Sequence, residues 1–217
     1  MDTQPGPPKP RLRGRIHEVA FFASLPAGAA LVLLAEGTAA RIGALVYALS
    51  LSAVFGASAA YHRGRWSPPA LRRMKRLDHS MIFVLIAGSY TPIALLVLHG
   101  AWSVVILSVV WAGAATGIVL KFAKIDGLHV PTGILYMGLG WLAVVALPQL
   151  LRGMSATQAT LMVLGGLLYT AGALVFAMKR PDPRPAVFGF HEVWHAFMVT
   201  AAACHFAMIV LVVRAGV

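Results

Sequence analysis

Residues 101–120 read AWSVVILSVVWAGAATGIVL, a stretch of 20 residues that contains no charged side chain. A helix rises about 1.5 Å per residue, so about 20 apolar residues are needed to cross the hydrocarbon core of a bilayer. Six other runs have a similar length and character. The seven predicted segments are 19–38, 40–61, 78–98, 101–120, 131–151, 157–178 and 190–213. We therefore predict an all-α protein, a bundle of seven transmembrane helices.

The composition supports this class. Hydrophobic residues make up 59% of the chain and charged residues only 12%, and the mean hydropathy is +0.79. Soluble domains average about a quarter charged residues. The length of 217 residues suits one helical bundle without a separate soluble domain. The single cysteine, Cys204, excludes an internal disulfide and a cysteine-based zinc site.

The basic residues predict the orientation of the bundle. In a membrane protein, basic loops explain a net charge of +11 better than nucleic-acid binding does, so we expect no nucleic-acid partner. Most basic residues fall in the N-terminal tail and in the loops after the second, fourth and sixth segments: Lys9, Arg11, Arg13, Arg15, Arg63, Arg65, Arg72, Arg73, Lys75, Arg76, Lys121, Lys124, Lys179, Arg180 and Arg184. The opposite side has Arg41, Arg152 and Arg214. The positive-inside rule then places the N-terminus in the cytoplasm and the C-terminus outside.

The chain divides into two parts. Residues 1–18 are rich in proline and basic side chains and are predicted to form a disordered cytoplasmic tail. Residues 19–217 are predicted to form the membrane domain. A cleaved signal peptide is the alternative for the first segment, because the small residues Thr38-Ala39-Ala40 follow it. Its removal would leave six helices that disagree with the charge distribution.

The seventh segment carries a pair of histidines in His191-Glu192-Val193-Trp194-His195. On a helix, side chains four residues apart lie on one face, so both rings can bind one metal ion. The string also matches the H-E-x-x-H pattern of zinc metalloproteases, in which the glutamate is the general base. An intramembrane zinc protease is therefore one interpretation of this segment.

A second set of polar residues lies at the same predicted depth. Ser58 and His62 end the second segment with the same four-residue spacing, and Asp78 opens the third. Ionisable groups within membrane segments are costly and are candidates for function. Three histidines that leave a fourth position open to water are typical of a catalytic zinc site. The predicted Zn²⁺ ligands are His62, His191 and His195.

The remaining polar residues suggest roles around this metal. Zinc lowers the pKa of a bound water to about 7. Asp78 is placed to take the proton from that water, and Ser58 to hold the water or a substrate oxygen. Each residue also has an alternative explanation, since a histidine near the interface often extends to the headgroups, and Asp78 could pair with Arg76 or cap the third helix.

The other histidines are expected to lie outside the site. His205 is ten residues beyond His195, about 15 Å further along the helix, and is predicted to be a buried hydrogen-bonding group. Successive helical residues point about 100° apart, which directs His79 away from Asp78. His17 and His129 lie near predicted cytoplasmic boundaries as spectators, and His99 lies on the outer side.

Three motifs occur in order along the chain: Ser58-x-x-x-His62 with Tyr61-His62-Arg63; Leu77-Asp78-His79 leading to Ala87-Gly88-Ser89-Tyr90-Thr91-Pro92; and Phe190-His191-Glu192-Val193-Trp194-His195 with His205-Phe206 after it. Together they resemble the hemolysin III family of bacterial membrane proteins, which is related to the progestin and adiponectin receptors. The resemblance runs from about residue 15 to the end. It implies seven helices around a zinc ion on the three matching histidines, with Asp78 and Ser58 beside the water. The arrangement is also similar to that of alkaline ceramidases, which hydrolyse lipid amides.

These observations lead to a functional prediction with open alternatives. The chain is predicted to be a zinc-dependent hydrolase of the bacterial inner membrane, acting on a lipid amide or ester that enters sideways between helices. Membrane lipids are the expected partners, and the sequence does not predict an oligomeric state. The main alternative is a non-enzymatic membrane-homeostasis or sensor protein with a structural zinc. A protease that uses Glu192, or a cytolytic role, is less consistent with the resemblance.

The topology can be tested with reporter fusions. A reporter fused after Val217 should be external and one inserted near Pro68 should be cytoplasmic, because the basic residues lie so unevenly on the two sides. Alkaline phosphatase and green fluorescent protein fusions report the two locations. If both positions report the same side, the count of seven helices is wrong.

Overall fold

The structure, a computed structural model, describes residues 9–123 and 128–215. The described residues form helices and loops without a β-strand, in the order α1 (Arg15–Leu34), α2 (Thr38–Arg63), α3 (Pro68–Leu96), α4 (Ala101–Ala123), α5 (His129–Gly140), a 3₁₀ turn (Leu142–Ala146), α6 (Leu147–Gly153), α7 (Ala156–Met178) and α8 (Phe190–Ala215). Seven stretches are long and apolar enough to cross a membrane, with α5, the 3₁₀ turn and α6 together forming the fifth. The prediction of an all-α, seven-span bundle is confirmed.

The helices pack mainly against their neighbours in sequence, and α8 closes the bundle. It lies against α7 and also contacts α1, α2 and α3. Since consecutive spans alternate in direction, the start of α1, the end of α2 and the start of α8 meet at one end of the bundle. This end is where the predicted site residues lie.

The third span begins earlier than predicted. The predicted segment starts at residue 78, but α3 begins at Pro68, after Ser67. Its first turns contain the basic residues Arg72 and Arg73, so a search for apolar runs misses these turns. Proline is favoured in the first turn of a helix, where its missing N–H costs nothing. Asp78 is therefore inside α3 and does not cap it.

The fifth span is interrupted where the sequence predicted one helix. α5 ends at Gly140, and the chain continues as a 3₁₀ turn into α6, which has Pro148 in its first turn. The Tyr90 hydroxyl of α3 donates to the Gly140 carbonyl at 3.0 Å and accepts from the Ala143 N–H at 2.7 Å. Backbone groups freed inside a membrane must find such a partner. Tyr90 therefore stabilises the break.

Residues 9–14 make backbone contacts with a distant part of the chain. The N–H groups of Arg11 and Leu12 each donate over 3.1 Å to a carbonyl of the loop before α8, at Ala186 and Val187. Residues 9–14, which we call the N-terminal strap, thus run along that loop before α1 begins at Arg15. The prediction of a disordered tail is wrong for residues 9–18, because it took no account of this distant partner; residues 1–8 lie outside the described residues.

The close packing of α2 on α3 predicts that a larger residue at Gly88 lowers the stability of the protein. A Cβ atom on Gly88 would lie 2.0 Å from the Oγ of Ser50, whose hydroxyl is held by the carbonyls of Val46 and Tyr47 at 2.9 Å. Overpacking of this kind costs about 1–3 kcal/mol. Gly88→Ala should therefore lower the melting temperature in detergent.

Gly166 of α7 is the matched control, because a Cβ there would meet nothing within 4 Å. Gly166→Ala should leave the melting temperature unchanged or raise it slightly. Equal melting temperatures for the two variants would contradict the close contact between α2 and α3.

Candidate metal centre

Three histidines from two helices meet at one end of the bundle. His62 is the penultimate residue of α2, and His191 and His195 lie in the first two turns of α8. The four-residue spacing places the pair on one face of α8, and the contact of α8 with α2 brings that face to His62. Helix packing thus unites residues that are more than 120 apart in sequence.

The ring nitrogens of these histidines are close enough to share an ion. The Nε2 atoms of His62 and His191 are 3.2 Å apart, and one nitrogen from each of the three rings lies within 4.8 Å of the others. The centroid of the His195 ring is 4.6 Å from that of His191 and 5.2 Å from that of His62. The group could therefore hold a metal ion.

The surroundings of the three histidines are compatible with a bound metal ion. His195 is 1% exposed, and neither of its ring nitrogens has a hydrogen-bond partner among the described residues. A buried polar atom without a partner costs about 1–3 kcal/mol, and a metal ion would satisfy one. Two nitrogens bound to a tetrahedral zinc at about 2.0–2.1 Å lie about 3.3–3.4 Å apart, which is close to the separation of 3.2 Å seen for His62 and His191.

The predicted catalytic residues lie at the same end of the bundle as this group. Ser58 is one helical turn before His62, is 2% exposed, and lies close to the Asp78 carboxylate. Asp78 is 7% exposed, and its Oδ2 atom is 3.6 Å from Nδ1 of His79. The structure thus places Ser58 and Asp78 close together at the same end of the bundle as the three histidines.

A fourth histidine joins the site, although the sequence analysis treated it as a spectator. The ring of His17 stacks on that of His195, with centroids 3.7 Å apart and planes inclined by 11°. Its Nδ1 atom is 2.8 Å from the Oγ of Ser58. The position of His17 along the first span could have revealed its role. It lies at the start of that span, at the same predicted cytoplasmic end as the other site residues.

Glu192, the glutamate of the H-E-x-x-H string, has other partners. It is fully buried; its Oε1 forms an ion pair with the Arg13 guanidinium, and its Oε2 accepts the Gly189 N–H at 2.8 Å. The second contact is half of a capping box, in which a glutamate in the first turn accepts from the N-cap residue. Both oxygens are engaged in holding the start of α8, which does not support a role as general base.

The N-terminal strap forms part of the wall of the site. Gly14 has a φ of 80°, and a Cβ atom there would lie 2.6 Å from the Cβ of His62. Glycine adopts this conformation without steric cost and leaves space for the close approach. Together with the Arg13–Glu192 ion pair, this contact fixes the strap directly against the end of α2 and the start of α8.

The other histidines take no part in the three-histidine group. Nε2 of His205 is 3.2 Å from the Met162 carbonyl, which agrees with its predicted hydrogen-bonding role. Nδ1 of His79 is 2.8 Å from the Lys75 carbonyl. His99 is exposed at the opposite end of α3, and the side chain of His129 lies outside the described residues.

Comparison with known proteins agrees with this architecture. The family model described as "Haemolysin-III related" matches residues 6–206. Hemolysin-3 of Bacillus cereus is 30% identical over 193 residues, which cover 88% of this chain and 85% of that protein. The Hemolysin-3 homolog of Bacillus subtilis (strain 168) is 34% identical over 130 residues, 60% of this chain and 58% of that protein.

A mammalian protein is also similar. The monocyte to macrophage differentiation factor of Homo sapiens is 25% identical over 200 residues, which cover 88% of this chain and 78% of that protein. The match of the family model over most of the chain, together with the seven spans, confirms the resemblance drawn from the three motifs. This multi-pass membrane protein belongs to the haemolysin-III related family.

Proposed function

We propose that this protein is a zinc-dependent membrane hydrolase that cleaves an amide or ester bond of a lipid. The observation that carries the proposal is the group of three histidines whose ring nitrogens lie within 4.8 Å of one another. A buried carboxylate, Asp78, reaches the same end of the bundle through its contact with Ser58. Three neutral donors plus a nearby carboxylate are the groups that metal-assisted hydrolysis requires.

Zinc is the proposed metal, held by His62, His191 and His195. Imidazole nitrogen suits zinc among several transition metals, and a site of three histidines leaves one position open. Bound there, zinc would polarise a carbonyl oxygen and make water acidic enough to attack near neutral pH.

Residues of the chain accept the proton and position the groups that react. The Asp78 carboxylate accepts the proton of the attacking water at one of its oxygens, as a general base, and returns it to the nitrogen or oxygen that departs when the amide or ester bond breaks. Ser58 holds this carboxylate in place, and its contact with His17 fixes the hydroxyl in turn. Burial of Asp78 and Ser58 keeps bulk water from competing for these contacts.

An apolar groove on the surface of the bundle supports lateral entry of a lipid substrate. It has a volume of about 490 Å³ and lies between α1, α2 and α3. Ala57 and Leu77 line it, and these are the chain neighbours of Ser58 and Asp78. Of the residues that line the groove, only Ser52 carries a polar side chain, and its hydroxyl is paired with that of Ser24 at 2.8 Å. An acyl chain would therefore find an apolar surface close to the proposed base.

We place the protein in the inner membrane of a bacterium, with the metal centre at the cytoplasmic end of the bundle. The support is the similarity to Hemolysin-3 of Bacillus cereus and the concentration of basic residues on the predicted cytoplasmic side. The lipids of that membrane are the proposed partners.

The metal assignment predicts a stoichiometry. Purified protein should contain about one zinc per chain, and His191→Ala/His195→Ala should lose it, because two of the three ligands are gone. Inductively coupled plasma mass spectrometry measures the metal content.

His205→Asn is the matched control, since it changes a histidine of the same helix that contacts the Met162 carbonyl. This variant should keep its zinc. Stoichiometric zinc in the double variant would exclude the proposed ligand set.

The proposed base makes a second prediction. Asp78→Asn should keep zinc and lose turnover by about 10²–10⁴-fold, because loss of a general base has effects of this size. Glu192→Gln should keep turnover per zinc-loaded molecule but lower the melting temperature, because it leaves Arg13 without its charged partner. Mass spectrometry of fatty acids released from bacterial lipid extract measures turnover.

Arg13→Gln/Glu192→Gln is the control for stability. It removes both charges and should recover part of the melting temperature that Glu192→Gln alone loses. A zinc protease of the H-E-x-x-H type demands the reverse pattern, in which Glu192→Gln abolishes turnover. If wild-type protein binds zinc and releases no product from any lipid fraction, the structural-zinc alternative replaces the hydrolase.

A further inference from the structure

We infer that His17 is a positioning residue of the metal centre: its Nδ1 atom holds the Ser58 hydroxyl, and its ring holds the plane of His195. This inference rests on the proposed binding of a metal by His62, His191 and His195. It assigns a role to the first helix, which contributes none of the three proposed ligands.

The orientation of the His195 ring depends on His17. A histidine that binds a metal usually donates its other ring N–H to a carboxylate or carbonyl, which fixes the ring. His195 has no hydrogen-bond partner at either nitrogen among the described residues. Its ring instead stacks on that of His17, with centroids 3.7 Å apart and planes inclined by 11°. The stack therefore fixes the orientation of the His195 ring, which a hydrogen bond from the second ring nitrogen usually does.

His17 also holds the hydroxyl of Ser58. A serine hydroxyl has one proton to donate, and an ionised carboxylate only accepts. If the Ser58 hydroxyl directs its proton at the ionised Asp78 nearby, its oxygen accepts the Nδ1–H of His17, which is 2.8 Å away. The hydroxyl is then held from both sides. His17 thus connects the carboxylate on α3 with the proposed ligand on α8.

The position of His17 is itself fixed. It is 2% exposed, and its ring also contacts Phe55 of α2, with centroids 5.2 Å apart. Just before it in the chain, Gly14 passes against His62, and Arg13 pairs with the buried Glu192. A ring held this firmly can restrain its neighbours, which a mobile surface histidine does not do.

Two substitutions separate the two contacts. His17→Asn keeps an amide donor near the position of Nδ1 but removes the ring that stacks on His195. His17→Phe keeps a stacking ring but removes the donor to Ser58. His205→Asn is the control for loss of a histidine elsewhere in the bundle. For each, the affinity for Zn²⁺ is measured by competition with a chelator, and the visible spectrum of the Co²⁺-loaded protein reports the geometry of the site.

The expected results differ between the variants. His17→Asn should weaken zinc binding about 10–100-fold, the usual effect of losing a residue that orients a ligand, and should change the Co²⁺ spectrum. His17→Phe should keep the wild-type affinity and spectrum. In metal-free protein, His17→Phe should lower the melting temperature less in a Ser58→Ala background than in the wild-type background. The Ser58→Ala change has already removed the hydrogen bond between the two residues, so His17→Phe cannot remove it again. His205→Asn should match the wild type in affinity and spectrum.

The outcomes distinguish this inference from the proposed function. If wild-type protein binds metal and His17→Asn has unchanged affinity and spectrum, the inference fails and the metal centre stands. If wild-type protein binds no stoichiometric metal, both fail. If it binds metal without turnover, only the hydrolase proposal fails. Loss of the fold in both His17 variants, with His205→Asn folded, would mark His17 as a structural residue and overturn its positioning role.

Discussion

The contact between the end of α2 and the start of α8 is the interaction on which the site depends. Both helices carry histidines at the end of a membrane-spanning segment, where a polar group that leaves water must find a partner within the bundle. His62 and His191 meet with their Nε2 atoms 3.2 Å apart. The strap, the first turn of α1 and the loop before α8 lie around this contact. Arg13 of the strap and Gly189 of the loop bind Glu192, and His17 of α1 contacts Ser58.

Most of the fold was predictable, because apolar run length is a property of the local sequence. The predicted segment 101–120 and the observed Ala101–Ala123 agree within one turn. The predicted helix boundaries were wrong where the structure depends on more than local hydropathy. α3 extends to Pro68 through basic turns that no apolar run reveals, and the break in the fifth span relies on Tyr90, a residue about 50 positions away.

The candidate ligands were also predictable, since helical spacing and span direction together place His62 and the α8 pair at one depth. What the sequence did not reveal was the set of contacts among side chains at that depth. His17 lies 178 residues before His195, and Arg13 lies 179 residues before Glu192. Span direction puts such residues at the same end of the bundle but does not say which rings stack or which charges pair, because those contacts depend on how α1 is rotated and packed.

The H-E-x-x-H string illustrates why a short motif needs its structural context. In the first turn of α8, a glutamate accepts the N-cap N–H as any capping-box residue would, and it interacts favourably with the positive end of the helix dipole. Its second oxygen binds Arg13, so Glu192 fastens the strap against the site. The carboxylate beside the histidines in sequence thus maintains the wall of the site. The carboxylate of Asp78, which lies on another helix close to Ser58 and 3.6 Å from Nδ1 of His79, is the one that we propose to accept a proton.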